Sequence, residues 1–235
     1  MQLLLLRLEG PLQSWGIRSR WDVRDSHDEP TKSGIVGLLG AAIGISRGDV
    51  RLEELDSGLR LGVRVEAPGV PLVDFHTVTG THLAADGKYR SPGGGTRASP
   101  SDEPMTIVSP RTYLQDAAFL VVLAGEPNLL AECGEAVRAP FWPLFLGRRA
   151  CPPSRPIFDR LTDAYDSLAD ALTRCPWSCQ VREAAGEFPP ESLRCTVEDA
   201  SGNATRQDLL RTNAARMYDS RTVRVFHVPP PQEAA

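Results

Sequence analysis

Pro30-Thr31-Lys32-Ser33-Gly34-Ile35-Val36-Gly37-Leu38-Leu39-Gly40-Ala41-Ala42-Ile43-Gly44 is the stretch whose reading settles the fold. Positions 35, 38, 39, 42 and 43 are apolar at helical spacing, and Thr31 or Ser33 can cap the first turn. Glycines at 34, 37, 40 and 44 predict a smooth helix edge that another backbone can approach, at about 1 kcal/mol each in helix propensity. Upstream, residues 2–9 read as a buried strand that Gly10-Pro11 ends, and Leu12–Gly16 opens a loop. Downstream come a short helix over 49–59, a strand over 61–66 that alternates apolar and polar residues, and a second strand over 70–78. A Gly-, Ser- and Pro-rich loop from Thr79 to Met105 follows. Residues 106–114 and 116–123 then read as a hairpin around Gln115, and 127–138 as a helix capped by Asn128 with Leu129, Leu130, Cys133 and Val137 on one face. This order predicts an α+β, ferredoxin-like (RRM-like) domain with a long insertion.

Past Pro140 the texture changes to a Pro-bounded Leu146-Gly147-Arg148-Arg149-Ala150-Cys151, a helix expected over 159–173 and a few short strands. The expected division is residues 1–140 as the first domain, with an insertion at about 79–108. A smaller, strand-poor domain follows over 141–228, and 229–235 form a disordered tail. The 235 residues suit one large domain or two small ones, and 41% apolar with 24% charged residues excludes wholesale disorder.

Leu3-Leu4-Leu5-Leu6 is interrupted by Arg7 and Glu9, and no stretch approaches the roughly 18 apolar residues of a membrane span. A cytoplasmic protein without membrane contact is expected. Five cysteines at 133, 151, 175, 179 and 195 make neither an even disulfide framework nor a four-ligand metal set, so no metal or other cofactor is expected.

A net charge of −4 excludes a surface coated with positive potential, but not local patches. Arginine, at 24 residues against two lysines, gathers in 147–160 and 205–227. Lys88, Arg90 and Arg97 lie in the Gly-rich loop, with Arg111 just beyond. A planar guanidinium suits phosphate oxygens and stacks on bases, which points to single-stranded RNA. The alternative is that these arginines pair with the chain's 30 acids. Lys32 and Ser33, at a helix start whose amides are free, can receive one phosphate or simply begin a capped helix.

Four motifs in order, Gly10-Pro11-Leu12-Gln13-Ser14-Trp15-Gly16, Pro30–Ala41, Asp74-Phe75-His76-Thr77-Val78 and Leu146–Pro152, together resemble the CasD family of type I-E CRISPR Cascade subunits, in the RAMP superfamily. Arg111-Thr112-Tyr113-Leu114 and Arg216-Met217-Tyr218 extend the likeness. The resemblance implies an RRM-like domain with a β-hairpin thumb, and a role in antiviral defence. It implies a subunit that caps the 5′ handle of the crRNA, contacts the large and backbone subunits, and meets target DNA only through the complex. The RNA-binding residues it singles out together with the residue reading are Gln13, Trp15, Lys32, Ser33, His76, Thr77, Lys88, Arg90, Arg111, Arg148, Arg149 and Arg216.

Some relatives cut the CRISPR repeat without metal, which requires a positioned acid and base around the RNA 2′-hydroxyl. Here a non-catalytic binder is expected. The alternative is an endoribonuclease using His76 with Lys32 or Tyr113.

Overall fold

A computed structural model of the chain describes residues 1–16, 24–79, 82–83, 89–90, 106–178, 181, 183, 190–210 and 218–231. Leu3–Glu9 (β1) is buried at every position, which only a central strand covered on both faces can be. Its alternation splits the core: Leu4, Leu6 and Leu8 face one cluster, Leu3 and Leu5 the other. On the first face pack the helix Lys32–Ile43 (α1), the helix Arg51–Gly58 (α2) and the helix Pro127–Arg138 (α3), through Ile35, Leu39, Leu55, Leu130 and Cys133 among others. On the second lies the short helix Leu168–Arg174 (α4), with Leu168, Leu172 and Trp177.

The strand beside β1 is Ala118–Ala124 (β8), and beyond it lies Arg60–Ala67 (β3), all antiparallel. Phe158–Thr162 (β9) pairs with the opposite edge of β1. Leu193–Glu198 (β10), Tyr218–Val228 (β12) and Ala204–Leu210 (β11) continue outward from β3, so the seven-stranded order is β11-β12-β10-β3-β8-β1-β9. The protein is therefore α+β, built on a large antiparallel sheet. Strands from both sides of residue 140 share it. The second half, expected to be poor in strands, supplies four of the seven, and the helix expected over 159–173 is β9 followed by α4. The free edge of β1 overrode a helical spacing of apolar residues at 161 and 165.

A second sheet stands apart. Val70–Thr79 (β4) and Thr106–Gln115 (β7) pair along their whole length, Val70 opposite Gln115 and Thr79 opposite Thr106, and Leu12–Gln13 (β2) joins the base of β7. The expected hairpin of 106–114 with 116–123 does not form. Asp116, in left-handed backbone at φ 55°, turns the chain out of this sheet and into the other. The arm thus begins at residue 70, earlier than the insertion at 79–108. Beyond it, His82–Leu83 (β5) pairs with Tyr89–Arg90 (β6), and most of 80–105 lies outside the described residues.

Two charged residues of the core are held by one carboxylate. Arg7, on β1, donates to Glu66 Oε2 at 2.8 Å, and the fully buried Arg64 pairs with Glu66 Oε1. Arg64 also donates to the carbonyls of Leu172 and Cys175, closing the end of α4. Left alone, any one of these charges costs several kcal/mol in a dry core.

Candidate nucleic-acid interface

Thr31 caps α1, its hydroxyl accepting from the Gly34 amide, as expected. The free amide of Lys32, however, donates to Asp208 Oδ2 at 2.7 Å, so the anion at this helix start is the chain's own carboxylate. Lys32 is buried, its ammonium 2.9 Å from Glu198 and 4.0 Å from Asp56. Ser33 is half-buried beside it. Asp56 sits among Lys32, Glu198 and Asp208, and burial pushes its carboxyl up to about 6 despite the lysine. Phosphate does not belong here.

Gln13 and Trp15 likewise turn inward rather than standing on an open loop. Gln13 is fully buried, donating to the carbonyls of Leu8 and Ala117. Its side-chain oxygen accepts from the Trp15 indole, whose ring is 1% exposed against Gly34. They fasten β2 to the core and leave no face for a base. The glycine edge of α1 follows the same pattern: Gly34 admits the Trp15 ring and Gly44 the Phe141 ring, where another backbone was expected.

Much of the clustered arginine is also committed. Arg206 pairs with Glu29, Arg221 with Asp208 and Glu198, Arg224 with Asp199, Arg155 with Glu9, and Arg160 with Asp159. Pairing with acids, the alternative weighed from composition, accounts for them.

What remains gathers at the base of the arm. Gly147, at φ 97°, lies so close to Ser14 that an added Cβ would stand 1.8 Å from its carbonyl oxygen. That contact sets the Gly-Arg-Arg turn against β2. Arg148 then spends its guanidinium internally, donating to the carbonyls of Thr112 (3.0 Å), Arg24 (2.9 Å) and Asp25 (3.1 Å), with its plane 4.8 Å over the Tyr113 ring. It clamps residues 24–25 beside β7, where the Arg24 amide meets Pro110 and its carbonyl meets Thr112. Arg149, next in the turn, is exposed, with no ion pair among the described residues.

Arg111, on β7, is half-buried and has no ion pair among the described residues; its Nε is buried without a hydrogen-bond partner. Across the arm, His76 lies opposite Ser109 and Asp74 opposite Arg111. The His76 ring stands 3.6 Å from the Asp74 carboxylate, and Thr77 is exposed beyond. The arm also exposes apolar side chains at Val70, Val73, Phe75 and Val108, Phe75 at 73%. Lys88 and Arg216 lie outside the described residues, and Arg90 lies on β6.

The sequence reading missed Asp74 and Ser109. Alternation along 70–78 was the available signal, but strand register alone brings 74 opposite 111 and 76 opposite 109. No group of three or more His, Cys, Asp or Glu is placed to hold a metal ion among the described residues, and no helix there is long and apolar enough to cross a membrane.

Fold and surface define an antiparallel-sheet protein that presents Arg111 and Arg149, without an ion pair among the described residues, where a two-stranded arm leaves the body. The family described as "CRISPR-associated protein (Cas_Cas5)" matches residues 3–229, and the chain belongs to it. It is 36% identical over 175 residues to the CRISPR system Cascade subunit CasD of Escherichia coli (strain K12), covering 69% of this chain and 72% of that one. Among solved structures, it is similar to a "Crystal structure of Cas protein" (35% identity, TM-score 0.69, 98% of each chain). It is also similar to a chain of a "CRISPR RNA-guided surveillance complex" (32% identity, TM-score 0.70, 97% of this chain and 91% of that one).

Proposed function

We propose that this chain is a non-catalytic subunit of a Cascade surveillance complex that caps the 5′ handle of the crRNA in antiviral defence. The observation that carries the reading is the pair Arg111 and Arg149. Neither has an ion pair among the described residues, and Arg148 holds the framework between them. A ferredoxin-like core supports it: β1, β3, β8 and β9, with α1 and α3, follow the βαββαβ order with strand order β3-β8-β1-β9. The likeness to a Cascade subunit and to a chain of an RNA-guided complex supports the assignment to such an assembly. The large and backbone subunits fit the arm's exposed Val70, Val73 and Phe75 and the edge-to-face pair Phe141 and Trp142, 69% and 39% exposed.

The cap reading is favoured over the endoribonuclease because neither proposed partner of His76 is free to act. Lys32 is buried in its ion pairs, and Tyr113 is 5% exposed beneath Arg148. Fluorescence anisotropy with labelled repeat-derived handle RNA, across a salt series, tests the reading. Arg111→Ala with Arg149→Ala weakens binding and flattens the salt slope by about 1.4, at about 0.7 per phosphate contact on a single strand. Unchanged affinity and slope overturn it, as does metal-free cleavage of repeat RNA that His76→Ala abolishes.

A further inference from the structure

Ser109 and Arg111 share one face of β7, two residues apart, with His76 and Asp74 directly opposite on the same face. The β4 side of this face is open, the Asp74 and His76 side chains being 46% and 41% exposed. The β7 side is closed: Ser109 is 5% exposed, and both its hydroxyl and Arg111 Nε are buried without a hydrogen-bond partner. Buried polar atoms of folded proteins are nearly always paired, and two unpaired on one face of one strand call for an explanation. Arg111 Nε–H can only donate, and the Ser109 hydroxyl can donate, so together they ask for an acceptor, preferably anionic. Asp74 does not meet that need. Although opposite Arg111 it forms no ion pair with it, and its carboxylate leans toward His76 at 3.6 Å. An acceptor oxygen therefore stands at the open side of the step and two donors at its inner side.

A phosphodiester with its adjoining ribose has the matching pattern: phosphate oxygens that accept, and a 2′-hydroxyl that donates. We propose that Asp74, Ser109 and Arg111 form a ribose-reading step that opens as the strand seats: the half-buried Arg111 meets a backbone phosphate first, its displacement uncovers the Ser109 hydroxyl as a second donor, and Asp74 accepts from the neighbouring 2′-hydroxyl. This makes the chain selective for RNA over DNA at one nucleotide of the handle. It rests on the handle-capping reading, and Ser109 and Asp74 are its additions.

The test compares binding of handle RNA with the same strand carrying 2′-deoxyribose throughout, for the full chain and three variants. The wild-type chain prefers RNA by about tenfold, as one hydrogen bond to a charged group allows. Asp74→Ala narrows the preference to within about twofold while binding the deoxy strand no more weakly, since a negative charge is removed beside the phosphate. Asp74→Asn, which keeps an acceptor oxygen, retains part of the preference. Ser109→Ala weakens both strands several-fold without altering the salt slope, because the hydroxyl is neutral. Equal affinity of the wild-type chain for both strands overturns the ribose-reading step alone, as does full discrimination by Asp74→Ala. Failure of the wild-type chain to bind either strand overturns the handle-capping reading and this inference with it.

Discussion

Replacing Arg148 separates two roles for the Gly-Arg-Arg turn. If the guanidinium grips RNA, Arg148→Ala weakens binding and leaves the free protein as stable as before. The structure says otherwise. Three backbone carbonyls accept from Arg148 at 2.9–3.1 Å, and the Tyr113 ring lies beneath it. Each of these half-buried bonds is worth about 1 kcal/mol net, and the cation–π contact adds about 0.5–1 kcal/mol. The expected loss is ~3–4 kcal/mol, a large share of the 5–15 kcal/mol that holds an ordinary domain together. For a chain of this length that is a fall in Tm of about 6–16 °C. Arg148→Lys keeps the charge but loses the planar fork, and recovers less than half. Urea denaturation of the free protein measures the loss, and differential scanning calorimetry gives the shift in Tm. Arg149→Ala, one residue on and exposed, is the control and moves stability by no more than ~0.5 kcal/mol. An Arg148→Ala protein as stable as wild type refutes the clamp.

Three further outcomes follow from buried chemistry elsewhere. Gly147→Ala meets both a left-handed backbone and the Ser14 carbonyl, so it destabilises by more than ~2 kcal/mol in chemical denaturation, and a neutral effect contradicts the packed turn. Asp56 has its folded carboxyl raised from 3.8 to about 6, so the stability it contributes is present below the unfolded value and is lost as pH rises through about 6. Relative to Asp56→Asn, the wild-type protein therefore loses ~2.4 kcal/mol between pH 4 and pH 7, and a pH-independent difference between the two removes that explanation. Burial pushes the thiols of Cys133 and Cys195 up to about 12. In the native protein at pH 8 both resist iodoacetamide, read by site-resolved mass spectrometry, and rapid labelling of either shows that its cover opens.

Local pattern was enough for much of the framework. The apolar run at residues 3–6, the 35/38/39/42 spacing and the capping Thr31 placed β1 and α1, and α3 lay where Leu130, Cys133 and Val137 put it. The alternation over 61–66 and 70–78 located β3 and β4. Pairing was not legible. Residues 106–114 and 116–123 are adjacent strand signals, and hydrophobic period cannot say that the first turns back on residue 70 while the second enters the central sheet. Nor could it foresee that residues 158–162 are drawn into extension by an open edge 155 positions earlier in the chain.

For the site, sequence by itself determined the inventory: which arginines the chain has, the Gly-Arg-Arg turn, and the motifs that mark the family. Tertiary structure alone decided which of them stay available. A charge is free only if no partner reaches it, and the partners here come from far along the chain: Asp208 at the amide of Lys32, Thr112 and Arg24 at Arg148, Glu29 at Arg206. Those distant contacts removed Gln13, Trp15 and Lys32 from the surface. They left Arg111, Arg149 and the unforeseen Asp74 and Ser109 at the base of the arm, because in a folded chain solvent access and hydrogen-bond pairing are properties of the neighbourhood and not of the residue.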